Sequence, residues 1–208
     1  MKPVLLRISL VLALLTVSGC GYRTPGEELV HRYERGERDF SLQDLGSIDL
    51  AGAELPGVNF SYSTFSEAVL QDADLRGANL NGAVFYQSDL RGINLSGADL
   101  GTASLYRAAL GGANLAQVRL GGGVLIEANL QEANLAEADL AGVNFQNADL
   151  KGANLTGANL EGATLTRTQL RDAILAGANL LGTNATEGQL AKARSLQGAT
   201  LPDGTIHE

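Results

Sequence analysis

A leucine or phenylalanine occupies every fifth residue from Phe40 to Leu180, which makes 29 consecutive positions without a gap. Five steps along an α-helix advance the side chain by about 500°, so a helix would scatter these residues around its surface. A flat strand would place them on alternating faces, because the spacing is odd. All of them can share one core only if the chain turns a corner after each five residues. The sequence therefore predicts an all-β solenoid in which four pentapeptides close a square coil of about 20 residues.

The neighbouring positions fit this geometry. The residue two places before the central Leu or Phe is alanine in 18 of 27 cases from Ile48 to Ala178, as expected for a second small side chain at a crowded axis. The residue immediately before it is Asp or Asn in 17 of 28 cases from Asp44 to Asn179. Residues 148–157, with the sequence ADLKGANLTG, show the repeat in its plainest form.

This A(D/N)LXX pattern resembles the pentapeptide repeat family, and the resemblance covers residues 38–182. The resemblance implies a right-handed quadrilateral parallel β-helix for this segment. At four pentapeptides per coil and about 4.8 Å per coil, the repeats predict about seven coils and a rod about 35 Å long. The sequence is similar in particular to cyanobacterial members of the family.

The corners of the coil carry a second pattern. Glycine two residues after the central position is frequent on three faces of the predicted square and absent from the face of Phe65 and Phe85. Glycine supplies the positive φ of a type II turn, and Pro56-Gly57 is a preferred pair for such a turn. We therefore expect three type II corners and a fourth corner of another type.

Short helical caps are predicted at both ends of the solenoid, where open edges would otherwise promote aggregation. The sequence Thr24-Pro25-Gly26-Glu27 has the form of a capping box with proline at the first helical position, and Gly36 is a stop signal. Residues 21–37 are therefore predicted to be a linker and an N-terminal capping helix from about 25 to 35. Residues 183–208 are predicted to hold a C-terminal capping helix, over 186–195, and a tail.

The segment 1–20 has the composition of a targeting sequence. Lys2 and Arg7 are followed by an apolar run over residues 8–17, which is too short to span about 30 Å of hydrocarbon. The segment ends in Val-Ser-Gly-Cys, which resembles the lipobox of bacterial lipoproteins. We therefore predict a lipoprotein-type signal peptide over residues 1–20, with Cys20 as the lipid attachment site; the alternative is an ordinary signal peptide in which Cys20 has no role.

The lipoprotein resemblance implies a location at the membrane, on the periplasmic or outer-membrane side of a bacterial envelope. Cys20 would carry acyl chains, and Gly21 stands where the usual inner-membrane retention signal has Asp. Without the signal peptide the chain has 13 basic and 23 acidic residues, a net charge of −10. Anionic lipid would repel this charge, so attachment would have to come from the lipid.

The composition argues against nucleic-acid binding, metal binding and catalysis. A chain with a net charge of −8 lacks the basic surface of a nucleic-acid binder. One cysteine and two histidines, His31 and His207, cannot form a four-ligand zinc site of the usual kind. A rod whose axis is filled with leucine and alanine offers no cleft in which unlike groups converge. We expect no catalytic, metal or cofactor site, no small-molecule substrate, and no enzymatic activity.

The outer surface remains for function. On the face without turn glycines, Val84, Tyr86, Tyr106, Val124 and Ile126 occupy outward positions on three successive coils. Such an apolar strip predicts a surface for an as yet unidentified protein partner. The alternative is that the strip only stabilises the stack, as aromatic and β-branched neighbours do in sheets.

Two functions follow from these observations. The first is a lipid-anchored, non-enzymatic structural or protein-interaction module outside the cytoplasm. The alternative comes from members of the family that resemble B-form DNA and bind DNA gyrase or another DNA-binding protein. Duplex DNA carries about 20 charges along 35 Å, whereas residues 40–182 carry 15 acidic and 7 basic residues. This charge is thin for a DNA mimic, and an exported protein would not meet a cytoplasmic gyrase.

Overall fold

The computed structural model describes residues 23–208, and the predicted signal peptide with Cys20 lies outside the described residues. Parallel β-bridges join residues that are four pentapeptides apart, from Asp39 and Asn59 at the start to Asn159 and Asn179 near the end. The bridging residue is the one before the central Leu or Phe on each of the four sides. The chain is therefore a four-sided coil with one pentapeptide per side, and its β-structure consists of these single bridges.

Hydrogen bonds between coils repeat on every side. The amide of Leu50 donates to the carbonyl of Val69 at 2.8 Å, and the amide of Val69 donates to the carbonyl of Ile48 at 2.9 Å. A third bond closes the corner within the coil, from the amide of Ala53 to the carbonyl of Leu50 at 3.0 Å. Because each coil is bonded to the coils on both sides, its backbone has little freedom to relax.

The predicted axis is the core. Every central residue from Leu50 to Leu180 is at most 2% exposed, and the alanines two residues earlier surround them. Four of the phenylalanines form an aromatic cluster near the N-terminal end, with contacts in the order Phe40, Phe60, Phe65 and Phe85. Their successive ring centroids are 5.7, 5.0 and 4.9 Å apart. The interior is thus filled along its length.

All four corners place the third residue of the turn in the left-handed region, so the absence of glycine from one face does not mark a corner without a positive φ, as the sequence had suggested. From Leu42 to Gly182 the third residue of every corner turn has a φ between +54° and +71°. This includes the face without glycine, where Glu67 has a φ of +59°. The amide of Glu67 donates to the carbonyl of Tyr86 in the next coil at 2.8 Å. Such bonds hold non-glycine residues in the left-handed region despite a cost of about 1 kcal/mol each.

This shared left-handed position leads to a prediction for two residues one coil apart in the same column. Gly112 has a φ of +66° with no atom within 4 Å of an added Cβ, and Glu132 has a φ of +58°. Glu132→Gly should raise the free energy of unfolding by about 0.5 kcal/mol. Glycine removes the strain of the left-handed conformation, but it loses more conformational entropy on folding, which cancels part of the gain. The converse change, Gly112→Glu, should lower it by a similar amount. Urea unfolding measures both, and changes of the same sign would contradict the prediction.

Helix α1, Pro25–Glu34, lies over the N-terminal end of the coil. The Thr24 side chain accepts from the amide of Glu27, and the Glu27 side chain accepts from the amide of Thr24, which completes a capping box. The Tyr33 hydroxyl donates to the carbonyl of Pro56 at 2.7 Å. The helix thus covers carbonyl groups that the first coil leaves without a coil beneath them.

At the other end, helix α2 is shorter than the segment predicted over 186–195, since it spans only Glu187–Leu190. The Leu190 side chain is buried and continues the five-residue register. The chain then re-enters the β-ladder through a bridge between Ile174 and Ser195, whose separation in sequence is one residue longer than that of the regular bridges. Bonding to the preceding coil therefore ends the helix early and shifts the register by one residue.

Candidate interaction face

The five predicted partner residues lie together on one side of the coil. We call this side face B; its central residues are Leu45, Phe65, Phe85, Leu105, Leu125, Phe145 and Leu165. Bridges from Val84 to Ser104 and from Ser104 to Val124 place the strip on three stacked coils. Its five members are all half-buried. The rings of Tyr86 and Tyr106 have centroids 5.7 Å apart and are tilted by 33°. The strip is thus a low, packed ridge that still presents its outer edge to solvent.

A charged pair borders this strip. The Arg107 guanidinium lies 4.9 Å from the centre of the Tyr106 ring, and its Nε donates to Glu127 Oε2 at 2.7 Å. The hydrogen bond to Glu127 and its negative charge raise the pKa of Arg107 above its ordinary value. Arg107 is therefore positively charged throughout the physiological range, beside an aromatic face that attracts cations.

Two exposed residues that sequence reasoning missed lie at the other edge of face B. Leu42 is 74% exposed and Tyr62 is 62% exposed. The Tyr62 ring lies over Gly82, where an added Cβ would be 2.6 Å from two ring carbons. The signal in the sequence is the column of residues one coil apart, because glycine fills most of its later positions and leaves the two large side chains uncovered on that side.

An asparagine ladder occupies a different face. Asn114 donates to Asn94, Asn134 to Asn114, and Asn154 to Asn134, with Nδ2 to Oδ1 distances of 3.1 to 3.2 Å. The Oδ1 atoms also accept backbone amides two residues further on, such as the amide of Ala116 at 3.3 Å from Asn114. The amides are thus engaged with one another and with the backbone, which stabilises the stack.

Two depressions lie outside face B on the described surface. A depression of about 530 Å³ lies between α1 and the first coil, beside His31, Glu34 and Asp49, and one of about 280 Å³ lies beside Lys151 and Arg194. Within residues 23–208 no group of three or more His, Cys, Asp or Glu side chains is placed to hold a metal ion. Neither helix described in this range has the length and apolar character needed to cross a membrane.

A four-sided coil with one pentapeptide per side and a filled Leu/Phe axis defines a β-solenoid repeat protein. The sequence matches the family of pentapeptide repeats, in eight copies, over residues 44–82, 83–122, 103–135, 128–167 and 163–194. The chain belongs to the pentapeptide repeat family. Its fold is accordingly a right-handed quadrilateral β-helix, which confirms the fold class expected from the repeat.

Solved structures of the family are similar to this chain. HetL, a pentapeptide repeat protein involved in heterocyst differentiation regulation in the cyanobacterium Nostoc sp. strain PCC 7120, is 32% identical, with a TM-score of 0.68 over 89% of this chain and 100% of HetL. Rfr23 from the cyanobacterium Cyanothece 51142 is 30% identical over 68% of this chain and 92% of Rfr23, with a TM-score of 0.37. QnrB1, a plasmid-mediated fluoroquinolone resistance protein, is 18% identical over 79% of this chain and 91% of QnrB1, with a TM-score of 0.42. No curated protein matches the chain.

Proposed function

We propose that this protein is a lipid-anchored, non-enzymatic protein-interaction module on the periplasmic or outer-membrane side of a bacterial envelope. The filled axis carries the proposal, because central residues that are at most 2% exposed leave only the outer surface for function. Face B is the part of that surface with the Val84 to Ile126 strip and its exposed apolar edge. The 32% identity to HetL, a protein involved in heterocyst differentiation regulation, supports a regulatory role.

The anchor is proposed from the N-terminal sequence. A positive start, a short apolar run and a Val-Ser-Gly-Cys ending contain the only thiol of the chain, Cys20. Only four residues separate Cys20 from Pro25, the first residue of α1. Five residue steps reach at most about 18 Å. A lipid on Cys20 would therefore keep the N-terminal end of the rod close to the bilayer.

The anchor has a direct test in cells that express the full chain. Wild-type protein should incorporate a clickable fatty acid and sediment with membranes, and Cys20→Ala should lose at least about 90% of both signals, since more than one acyl chain on Cys20 would provide the membrane affinity. Ser18→Ala is the control, because it keeps a small residue in the lipobox. Equal labelling and equal membrane recovery of Cys20→Ala would contradict the anchor.

The second candidate is a DNA mimic that binds gyrase or another DNA-binding protein, and the negative charge of residues 40–182 favours it. Four of the carboxylates in this segment are paired with arginines, in the pairs Asp74–Arg76, Asp89–Arg91, Asp99–Arg119 and Glu127–Arg107. Pairing lowers the pKa of Asp74 and Asp89 by hydrogen bonds from Arg76 and Arg91, and it also neutralises their field. The remaining charge is thin beside that of DNA, so we rank this function second; inhibition of gyrase supercoiling at micromolar concentration would reverse the ranking.

A further inference from the structure

The outer column of face B has a self-complementary order of charges. This column begins at Ser47 and continues along the rod as Glu67, Gln87, Arg107, Glu127, Asn147 and Arg167. From Glu67 to Arg167 the charges are therefore negative, neutral, positive, negative, neutral and positive. When a second copy of these six residues lies alongside in the reverse order, every charged side chain faces an opposite charge and each amide side chain faces an amide. The six side chains from Glu67 to Arg167 are exposed, except that of Asn147, which is half-buried.

Glu67 and Arg167 are without an ionic partner in the described chain. Arg107 and Glu127 pair with each other at the centre, at 2.7 Å. Among residues 23–208, no ion pair involves Glu67 or Arg167. These two lie equally far from the centre, on opposite sides of it. A second molecule can supply the opposite charge for each.

We infer that face B is the interface of an antiparallel homodimer, with a twofold axis that crosses the face between the levels of Arg107 and Glu127. This operation places Glu67 opposite the partner's Arg167, and Arg167 opposite the partner's Glu67. It also places Arg107 opposite the partner's Glu127, and Glu127 opposite the partner's Arg107. Such an isologous contact closes on itself, as twofold interfaces do. The inference rests on the proposed use of face B in protein binding and is independent of the lipid anchor.

The same operation accounts for the exposed residues at the other edge of face B. Leu42 comes opposite the partner's Gly182, and Tyr62 comes opposite the partner's Gly162. No atom lies within 4 Å of an added Cβ on Gly162, and only one backbone nitrogen lies at that distance, 4.0 Å, from Gly182. The large apolar side chains at one end of each rod thus meet bare backbone at the other end. Size and charge therefore match at both edges of the face.

The middle of face B is compatible with this pairing. Tyr106 comes opposite the partner's Ile126, which is an aromatic residue against a β-branched one, a favourable pair between sheets and strands. Val124 comes opposite the partner's Ser104. Because these side chains are half-buried in each molecule, the two faces can approach without a tall side chain between them.

The size of the contact sets the expected affinity. Leu42 and Gly182 are seven coils apart in one column, which is about 34 Å. The face is one pentapeptide wide, which is about 16 Å. Its length and width together give a contact area of about 500 Å² per partner. The total of about 1,000 Å² is the lower limit for a specific interface, so we expect a weak dimer. Its charged edge also predicts weaker association at high salt.

A charge exchange tests the inference on the full chain, purified in detergent and examined by sedimentation equilibrium. Glu67→Arg and Arg167→Glu should each weaken dimerisation at least about tenfold, which is about 1.4 kcal/mol, because each sets like charges opposite each other twice. The double variant restores opposite charges and should dimerise within about threefold of the wild type. Glu132→Arg makes the same change at the same corner position of another face and should leave the dimer unchanged.

The outcomes that overturn the inference are equally defined. They are a wild-type chain that stays monomeric at about 0.5 mM, a concentration at which even a weak specific interface forms, and a double variant that fails to recover. Recovery in the double variant also separates lost recognition from lost folding.

A photo-crosslinking residue in place of Tyr106, in cells, separates this inference from the proposed function. A crosslinked band at twice the mass of the chain, identified as this chain alone by mass spectrometry, supports the homodimer. Crosslinks only to a different protein would overturn the homodimer and support face B as a binding surface. Absence of any crosslink would overturn both.

Discussion

Phe65→Ala should lower the free energy of unfolding by about 4 kcal/mol, which is the range for removing a buried aromatic side chain. The Phe65 side chain is fully buried, stacks on Phe85 at 4.9 Å and meets the edge of Phe60 at 5.0 Å. Truncation removes both ring contacts and leaves a cavity. The cavity cannot collapse, because hydrogen bonds to the coils above and below hold the backbone in place. Urea or thermal unfolding measures the loss.

Two variants isolate the aromatic contribution. Phe145 is also fully buried, but no ring within residues 23–208 packs on it, so Phe145→Ala should cost about 1 kcal/mol less than Phe65→Ala. Phe65→Leu installs the residue that most other coils carry at this position and should cost only about 1 kcal/mol. Equal losses for the two alanine variants would contradict a role for the ring contacts.

The coil itself can be predicted from the sequence because its period has one physical solution. Neither helix nor flat strand gathers residues five apart, whereas a corner after each pentapeptide does. The structure confirms the consequence, with parallel bridges between residues four pentapeptides apart and an axis filled by the central residues. The bridge between Asp89 and Ala109 stacks Leu90 below Leu110, as the register requires. Strict periodicity carries this information without any knowledge of side-chain contacts.

The corners show where composition fails. Glycine frequency suggests that one corner differs, but Gln87 has a φ of +54° and Gly92 has a φ of +65°, which is the same region. Inter-coil hydrogen bonds hold the third residue of every corner in the left-handed region, and they outweigh the strain of the non-glycine residues there. Residue preference at one position reports only the local term. The hydrogen bonds between coils contribute a larger free energy, which all corners share and which the sequence of a single corner does not show.

Buried hydroxyls on the axis are also beyond sequence reasoning. Serine and threonine replace alanine at four buried positions, Ser63, Ser88, Thr168 and Thr183. Three of them donate to carbonyls of the preceding coil at 2.6 to 2.9 Å, in the pairs Ser63–Phe40, Ser88–Phe65 and Thr168–Phe145, whereas the Thr183 hydroxyl has no hydrogen-bond partner within residues 23–208. Their small size fits the pattern, but their acceptors depend on the exact stacking of coils. The three hydroxyls that donate to the preceding coil are satisfied where they are buried, so they stabilise the core instead of marking a site.

Face B is partly predictable. Numbering by successive coils brings Tyr86 above Tyr106 and identifies the apolar strip from the sequence alone. The same numbering does not show that Arg107 lies on the Tyr106 ring, or that Tyr62 is exposed because Gly82 beside it has no side chain. These features depend on pairs of neighbours in adjacent columns and coils. They are also the features on which the homodimer depends.

Gly26→Ala should lower the free energy of unfolding by about 2 kcal/mol, although alanine normally stabilises a helix relative to glycine by about 1 kcal/mol. Gly26 is buried in the first turn of α1, and an added Cβ would lie 1.9 Å from the Asp49 carbonyl oxygen. This oxygen belongs to the backbone of the first coil and cannot rotate away. Helix α1 would have to lift, which exposes Leu29 and the ring of Phe40, now 4% and 1% exposed. Urea unfolding and hydrogen exchange of α1 measure the effect.

Gly188 provides the matched control because it lies in the first turn of α2 with no atom within 4 Å of an added Cβ. Gly188→Ala should leave the free energy of unfolding unchanged or raise it slightly, as helix propensity alone predicts. The two alanine substitutions are chemically identical and differ only in what the new methyl group meets. Lifting α1 would also uncover the backbone edge of the first coil, so Gly26→Ala should aggregate faster on warming, as light scattering would show. A Gly26→Ala protein at least as stable as the wild type would mean that α1 does not bear on the first coil.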